Sequence, residues 1–196
     1  MKIALVGSRY FGAAAFEALR KEEGVEFSSV VVPAADDRLA HRRRARPAFR
    51  STCSRIRRWC RASAVPEGTD LVVAAHTHAR VSDEALAHSR LGGIGYHPSL
   101  LPRHRGIAAV EWTIQEGDPI AGGTVYHLAD GWDAGAIAAQ EWCFVGKGET
   151  ARELVGARLG ADRPRAPPEG RAATRSSTTS VPAQARRIRD SRPRRR

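Results

Sequence analysis

Cysteine is scarce in this chain, and the three present do not make a set. Cys53, Cys60 and Cys143 are odd in number and show no Cys-x-x-Cys spacing, which argues against a zinc ribbon and against a disulfide framework. That usage fits a cytoplasmic setting. Long apolar runs are missing too, since none nears the roughly 18 residues of a membrane span, so no membrane partner is expected. The opening Met1-Lys2-Ile3-Ala4-Leu5-Val6-Gly7 is interrupted too early for a secretory signal and reads instead as a first buried strand. Lysine is nearly absent as well, three residues against 29 arginines.

The arginines are unevenly placed. Nine lie in 41–61 and eleven in 161–196, where Asp162, Glu169 and Asp190 are the only acids. The net charge of +11 therefore belongs to two blocks, and the rest of the chain is mildly acidic. Both blocks are mixtures of Arg, Ala, Pro and Ser with little apolar periodicity. Three readings compete: basic arms for a polyanion, solvated segments with no binding role, or out-of-frame translation of a GC-rich gene. The clean return of fold-like sequence at Pro66 favours the third. The domain organisation expected is one folded unit over 1–160, with 41–61 as an atypical Arg-rich insert or out-of-frame segment. Residues 161–196 offer only Val181 and Ile188 as large aliphatics, and a disordered tail is expected there.

A hydrophobic fraction of 42% supports one packed core elsewhere. Apolar runs at 3–6, 27–32, 70–75 and 93–96 read as buried parallel strands. Between them lie helix patterns at 11–19, at 83–88 behind the cap Ser82, and at 107–115 with Ala109, Val110 and Ile114 inward. Residues 123–128 and 136–144 read as a further strand pair, an antiparallel addition, joined by the turn 130–135. A last helix begins at Thr150. This alternation predicts an α/β fold: a Rossmann-like, mostly parallel sheet with helices on both faces and functional loops at the strand C-terminal ends.

Several motifs lie on that edge. Gly7-Ser8-Arg9-Tyr10-Phe11-Gly12 sits where a dinucleotide fingerprint would, but Arg9 replaces the middle glycine and no P-loop Lys-Ser/Thr follows. It reads as a structural turn. His76-Thr77-His78 ends a strand without the acidic or Cys/His cluster that would complete a metal site, so no metal is expected and pocket lining is the better role. His97 ends a buried strand before Pro98, which places its ring at the strand mouth. Asp133 lies on the neighbouring Gly-bounded turn, where a carboxylate orients an imidazole. Such a pair suits oxyanion stabilisation and proton shuttling.

Gly93-Ile94-Gly95-Tyr96-His97-Pro98-Ser99-Leu100-Leu101-Pro102-Arg103-His104-Arg105-Gly106 resembles the signature of folate-dependent formyltransferases. Gly122-Gly123-Thr124-Val125 and Asp130-Gly131-Trp132-Asp133-Ala134-Gly135-Ala136-Ile137 resemble that family's second signature, at the right separation. The likeness extends over roughly 1–40 and 62–158. It implies a formyltransferase-like catalytic domain over 1–160, with 10-formyltetrahydrofolate as formyl donor and an amine as acceptor. By the resemblance, His97 and Asp133 fall on two members of an Asn-His-Asp catalytic set. The asparagine falls on Gly95, and Tyr96 cannot replace it because it faces the other side of the strand. Losing one oxyanion donor costs on the order of 2.7–4 kcal/mol. Ala134 and Ala136 stand where Thr and Pro are usual.

The same resemblance places the folate against the backbone around Ala75–Arg80, with His76 and Arg80, and the loop from Leu128 to Gly135, with Asp130. It puts Gly95 beside the reacting centre, with Ser99–Gly106, including Ser99, Leu100, Leu101 and Pro102, along the acceptor side. A glycinamide ribonucleotide acceptor would need a phosphate-binding loop that Gly7–Gly12 does not resemble. A tRNA acceptor usually goes with a further domain that 161–196 cannot form. A small amine stays open, as does water, which would make a formyltetrahydrofolate hydrolase. Two other readings stand beside these: a catalytically impaired remnant, favoured by Gly95, and nucleic-acid binding through the basic tail.

Overall fold

The computed structural model describes residues 1–32 and 59–159. Most of the Arg-rich segment expected over 41–61 and the tail expected over 161–196 lie outside the described residues. A short continuous apolar run explains the start of the sheet. In β1 (Lys2–Gly7), Ile3, Ala4, Leu5 and Val6 are completely buried, as a strand covered on both faces requires. Side chains alternate across it: Leu5 packs with Phe16, Val30, Val32 and Ala75 on one face, and Ala4 and Val6 pack with Val31, Val65 and Val72 on the other. Fully burying aliphatics of this size contributes about 1.5–3 kcal/mol each.

The central sheet has six strands. β2 (Glu26–Val31), β1, β4 (Leu71–Ala75) and β6 (Gly93–His97) run parallel in that order. β7 (Ile120–His127) and β8 (Ile137–Phe144) follow antiparallel. A separate two-residue pair, β3 (Trp59–Cys60) with β5 (Arg80–Val81), was not foreseen, being too short for periodicity to reveal. β7 begins three residues earlier than the sequence pattern suggested. β8 is an outer strand whose residues are exposed except Cys143.

Helix α1 (Arg9–Leu19) covers the Leu5 face through Phe11, Ala13 and Phe16. Its cap residue Ser8 does not cap it; the hydroxyl donates to the His76 carbonyl and the Ser8 N–H to Ala75, tying the first helix to the end of β4. The opposite face is covered by the 3-10 turn Ala62–Ala64 and by α2 (Asp83–Ala87), whose cap Ser82 accepts from Ala85 N–H as its sequence predicts. Helices thus stand on both sides of the sheet. α3 (Ala109–Gln115) and α4 (Ala151–Leu154) meet over Val110, Ala121, Cys143 and Leu154. Thr150 and Glu153 form a reciprocal capping box on α4, and a π turn over Val155–Leu159 continues it. No helix of the described residues is long and apolar enough to cross a membrane.

Tyr96 of β6 points to the α1 face, its ring 5.2 Å from that of Phe11. Burial pushes its phenol up to about 12. A tyrosine raised in the folded state contributes stability that is whole below the unfolded value near 10 and is lost as pH climbs toward 12. Denaturant midpoints should therefore fall over that alkaline window, and Tyr96→Phe should flatten the fall. An identical decline in both proteins would refute the assignment.

Candidate active site

The end of β6 meets β7 and the loops that carry His104 and Asp133. Gly95 and His97 lie on the face of β6 opposite to Tyr96, directly across from Tyr126 and Thr124 of β7. His97 is 6% exposed and Asp133 9%. The His97 Nδ1 atom is 3.4 Å from Asp133 Oδ2, and its Nε2 is 2.7 Å from the His104 carbonyl oxygen. Both ring nitrogens therefore face acceptors, and an imidazolium satisfies both at once. The two residues singled out from sequence are brought together, on the C-terminal edge where an α/β sheet places its chemistry.

Asp133 is itself held. Its Oδ2 accepts from Gly106 N–H at 2.7 Å, and its Oδ1 accepts from the Tyr126 hydroxyl at 2.7 Å. Asp133 adopts a left-handed backbone at φ 48°, and His104 does so at φ 50°. Non-glycine residues in this region carry strain that surrounding contacts must over-determine, and such residues cluster at functional sites. Here the two strained residues are those that face the nitrogens of His97.

The segment after His97 is cinched to β7. Thr124, completely buried, donates its hydroxyl to Ser99 O at 2.6 Å and accepts from Leu101 N–H at 3.1 Å and Gln140 Nε2 at 2.9 Å. One donor and two lone pairs are all used. The Ser99 hydroxyl donates to Arg103 O, and Gln140 also donates to Leu101 O. Ser99 and Leu101 are buried and shape the loop from within. Leu100 helps line a cavity of about 200 Å³ with Arg103, His104, Thr113 and Asp118. The peptide bond before Pro102 is cis.

Other expected residues sit differently. His76, at φ 53°, stacks against Phe11 with ring centroids 5.9 Å apart. Arg80 pairs with Asp130 at 2.9 Å and lies 5.1 Å over the Trp59 ring. That guanidinium holds the Asp130 carboxyl below the usual carboxylate range. Asp130 is 95% exposed, so this pair contributes little to stability. The room beside Gly95 is taken by the Tyr126 ring. A larger cavity of about 410 Å³ runs along Trp59, Arg61, Ala62, Ser82 and Glu84 and includes neither His97 nor Asp133.

Among the described residues, His104, Glu116 and Asp118 bring three metal-capable atoms close together. Arg103 spans both of those carboxylates, at 3.3 and 2.6 Å, and His104 Nε2 is 2.7 Å from Asp118, which makes the cluster an ion-pair network anchoring the loop. His76 and His78 acquire no third ligand among the described residues.

Tyr126 and Gln140 did not stand out in the sequence, and Thr124 did so only as part of the second signature. Their signal is pairing across strands: a large aromatic opposite a glycine, and a buried threonine opposite the histidine.

Residues 1–162 match the protein family described as Formyl transferase. The chain is 33% identical over 168 residues to the cytosolic 10-formyltetrahydrofolate dehydrogenase of Mus musculus, a match covering 79% of this chain and 18% of that protein. It is 32% identical over 174 residues to the methionyl-tRNA formyltransferase of Anaeromyxobacter dehalogenans, covering 79% of this chain and 53% of that one. The chain thus spans less than a fifth of the first relative and about half of the second. Among solved structures, the phosphoribosylglycinamide formyltransferase of Bacillus halodurans aligns with a TM-score of 0.66 at 19% identity, over 80% of this chain and 86% of that one. The glycinamide ribonucleotide transformylase 1 of Symbiobacterium toebii aligns with a TM-score of 0.65 at 23% identity, over 79% and 78%. At such identities the likeness is one of fold, and it agrees with the mostly parallel sheet expected from sequence.

Proposed function

The chain belongs to the formyl transferase family, and from that premise we propose that it transfers the formyl group of 10-formyltetrahydrofolate to an amine, with His97 and Asp133 at the reacting centre of a catalytic domain spanning 1–160. The observation that carries this reading is the buried contact of 3.4 Å between His97 Nδ1 and Asp133 Oδ2 at the mouth of β6. A carboxylate on one side of an imidazole balances the charge it gains when it binds a proton.

The chemistry follows from that pairing. The amine lone pair attacks the formyl carbon, and the carbonyl electrons move onto oxygen as a tetrahedral oxyanion. Collapse breaks the bond from the formyl carbon to the folate nitrogen, which takes up one proton while the attacking nitrogen loses one. Nδ1 of His97 faces Asp133, so Nε2 is the nitrogen turned to substrate. It exchanges the His104 carbonyl for the oxyanion, and it can relay the proton between the two nitrogens. The cinched loop of Ser99, Leu100, Leu101 and Pro102 would wall the acceptor side, with the folate toward His76, Arg80 and Asp130. No metal enters this chemistry.

Formyl transfer is tested by incubating the folded chain with 10-formyltetrahydrofolate, with a panel of small amines, with tRNA charged with methionine, and with water alone as acceptor. Release of tetrahydrofolate in proportion to protein concentration is expected, and mass spectrometry of the acceptors identifies the product. Release in the water arm alone assigns hydrolysis. A cooperatively folded sample that releases none in any arm contradicts the proposal.

A further inference from the structure

We propose that Tyr126 is a positioning residue of this site, filling the space beside the bare backbone of Gly95 and holding the Asp133 carboxylate against His97, so that Gly95 and Tyr126 act as one pair. The inference rests on the role given above to His97 and Asp133.

Register brings the two together. Gly95 and Tyr126 are direct partners on the antiparallel strands β6 and β7, on the same face as His97. A Cβ placed on Gly95 would come within 2.7 Å of Tyr126 Cζ, 2.8 Å of Cε1 and 2.9 Å of Oη. Real Cβ atoms are not found so close, so this ring position and a side chain at 95 exclude one another. The far end of the tyrosine can move aside, but moving it takes the hydroxyl away from its partner.

That partner is Asp133. The hydroxyl donates to Asp133 Oδ1 at 2.7 Å, while Gly106 N–H is bound to Oδ2, the oxygen nearest His97. Two donors on two different oxygens fix the plane of the carboxylate. Such control matters for a side chain carried on a left-handed turn residue. Tyr126 is 9% exposed, and its surroundings keep the phenol neutral: burial first, then the adjacent carboxylate, push its ionisation well above the usual range. A hydroxyl has one proton to give, and here it goes to Asp133. Tyr126 thus acts through Asp133 and does not touch the reacting atoms.

The test is one substitution and one double-mutant cycle. Tyr126→Phe keeps the ring and removes one hydrogen bond to a charged group; kcat should fall about 10–100-fold with KM for the folate nearly unchanged. Gly95→Ala should cause a similar fall in the wild-type chain and add nothing in a chain carrying Tyr126→Ala, because the ring it displaces is gone. As a readout independent of turnover, the ring-proton resonances of His97 should shift in Tyr126→Phe. The proposal is overturned if Tyr126→Phe leaves kcat and the His97 resonances unchanged, or if the Gly95→Ala loss is equal with and without Tyr126→Ala. Should His97→Ala keep full turnover, the assignment of the reacting centre fails instead. A loss in His97→Ala with none in Tyr126→Phe overturns the pairing alone.

Discussion

In His97→Ala, tetrahydrofolate release is expected to fall to the rate seen without protein, and in Asp133→Asn it is expected to fall about 10²–10⁴-fold, the span usually contributed by a positioned acid–base group. The two variants differ for a structural reason. Alanine removes both ring nitrogens and leaves the His104 carbonyl and the Asp133 carboxylate without their histidine. Asparagine can keep the local hydrogen bonds: its oxygen can accept from Gly106 N–H and its amide can donate to the Tyr126 oxygen. What it cannot keep is the negative charge beside His97. Both effects should appear in kcat with little change in KM, because they concern charge formed on the way to the oxyanion. Circular dichroism and thermal melting establish that each variant is folded. Turnover at the wild-type rate in folded His97→Ala would refute the role given to this residue.

Much of the scaffold was legible because parallel strands covered on both faces are written as continuous apolar runs. Ile3 to Val6, Leu71 to Ala75 and Gly93 to Tyr96 follow that rule, and the first of these runs is completely buried. Ser82 and Thr150 announced their helices by local chemistry, a side-chain oxygen followed by free N–H groups. β8 was found by its strand-forming residues, yet Trp142 and Phe144 prove exposed, since apolar content alone does not tell an outer strand from an inner one. β3 and β5 could not be found, as two residues carry no period.

The site divides along the same line. His97 and Asp133 were legible because each sits beside a chain breaker, Pro98 or the glycines of the turn, and such breakers mark strand ends. Tyr126, Thr124 and Gln140 act across strands, and their partners depend on register. The β7·β8 pairing shifts between Val125 and Tyr126, an irregularity that the alternation of residues 123–128 does not reveal. Gly95 was conspicuous in sequence as a missing amide. In the structure it is also the position that admits the Tyr126 ring, so one substitution acquires two consequences.

Gly135→Ala is expected to destabilise the fold by about 1–3 kcal/mol, as inserting a methyl into filled space does, lowering Tm by roughly 2–12 °C for a chain of this size. A Cβ at this position would stand 1.7 Å from the His127 carbonyl oxygen and 2.8 Å from its carbon. These are backbone atoms, and they cannot swing aside as a side chain can. His127 N–H is bonded to Ala136 O at 2.8 Å, which clamps the end of β7 to the residue after Gly135. Making room must therefore open this clamp and shift the turn that carries Asp133, two residues earlier, away from Tyr126 and His97. Loss of stability and loss of kcat should appear together. Gly156→Ala provides the contrast, since a Cβ there meets nothing within 4 Å and should be neutral or mildly stabilising. Urea denaturation and initial rates measured on both variants decide the matter: a Gly135→Ala protein as stable and as fast as Gly156→Ala would mean that the close approach of Gly135 to His127 does not hold the turn carrying Asp133 in place.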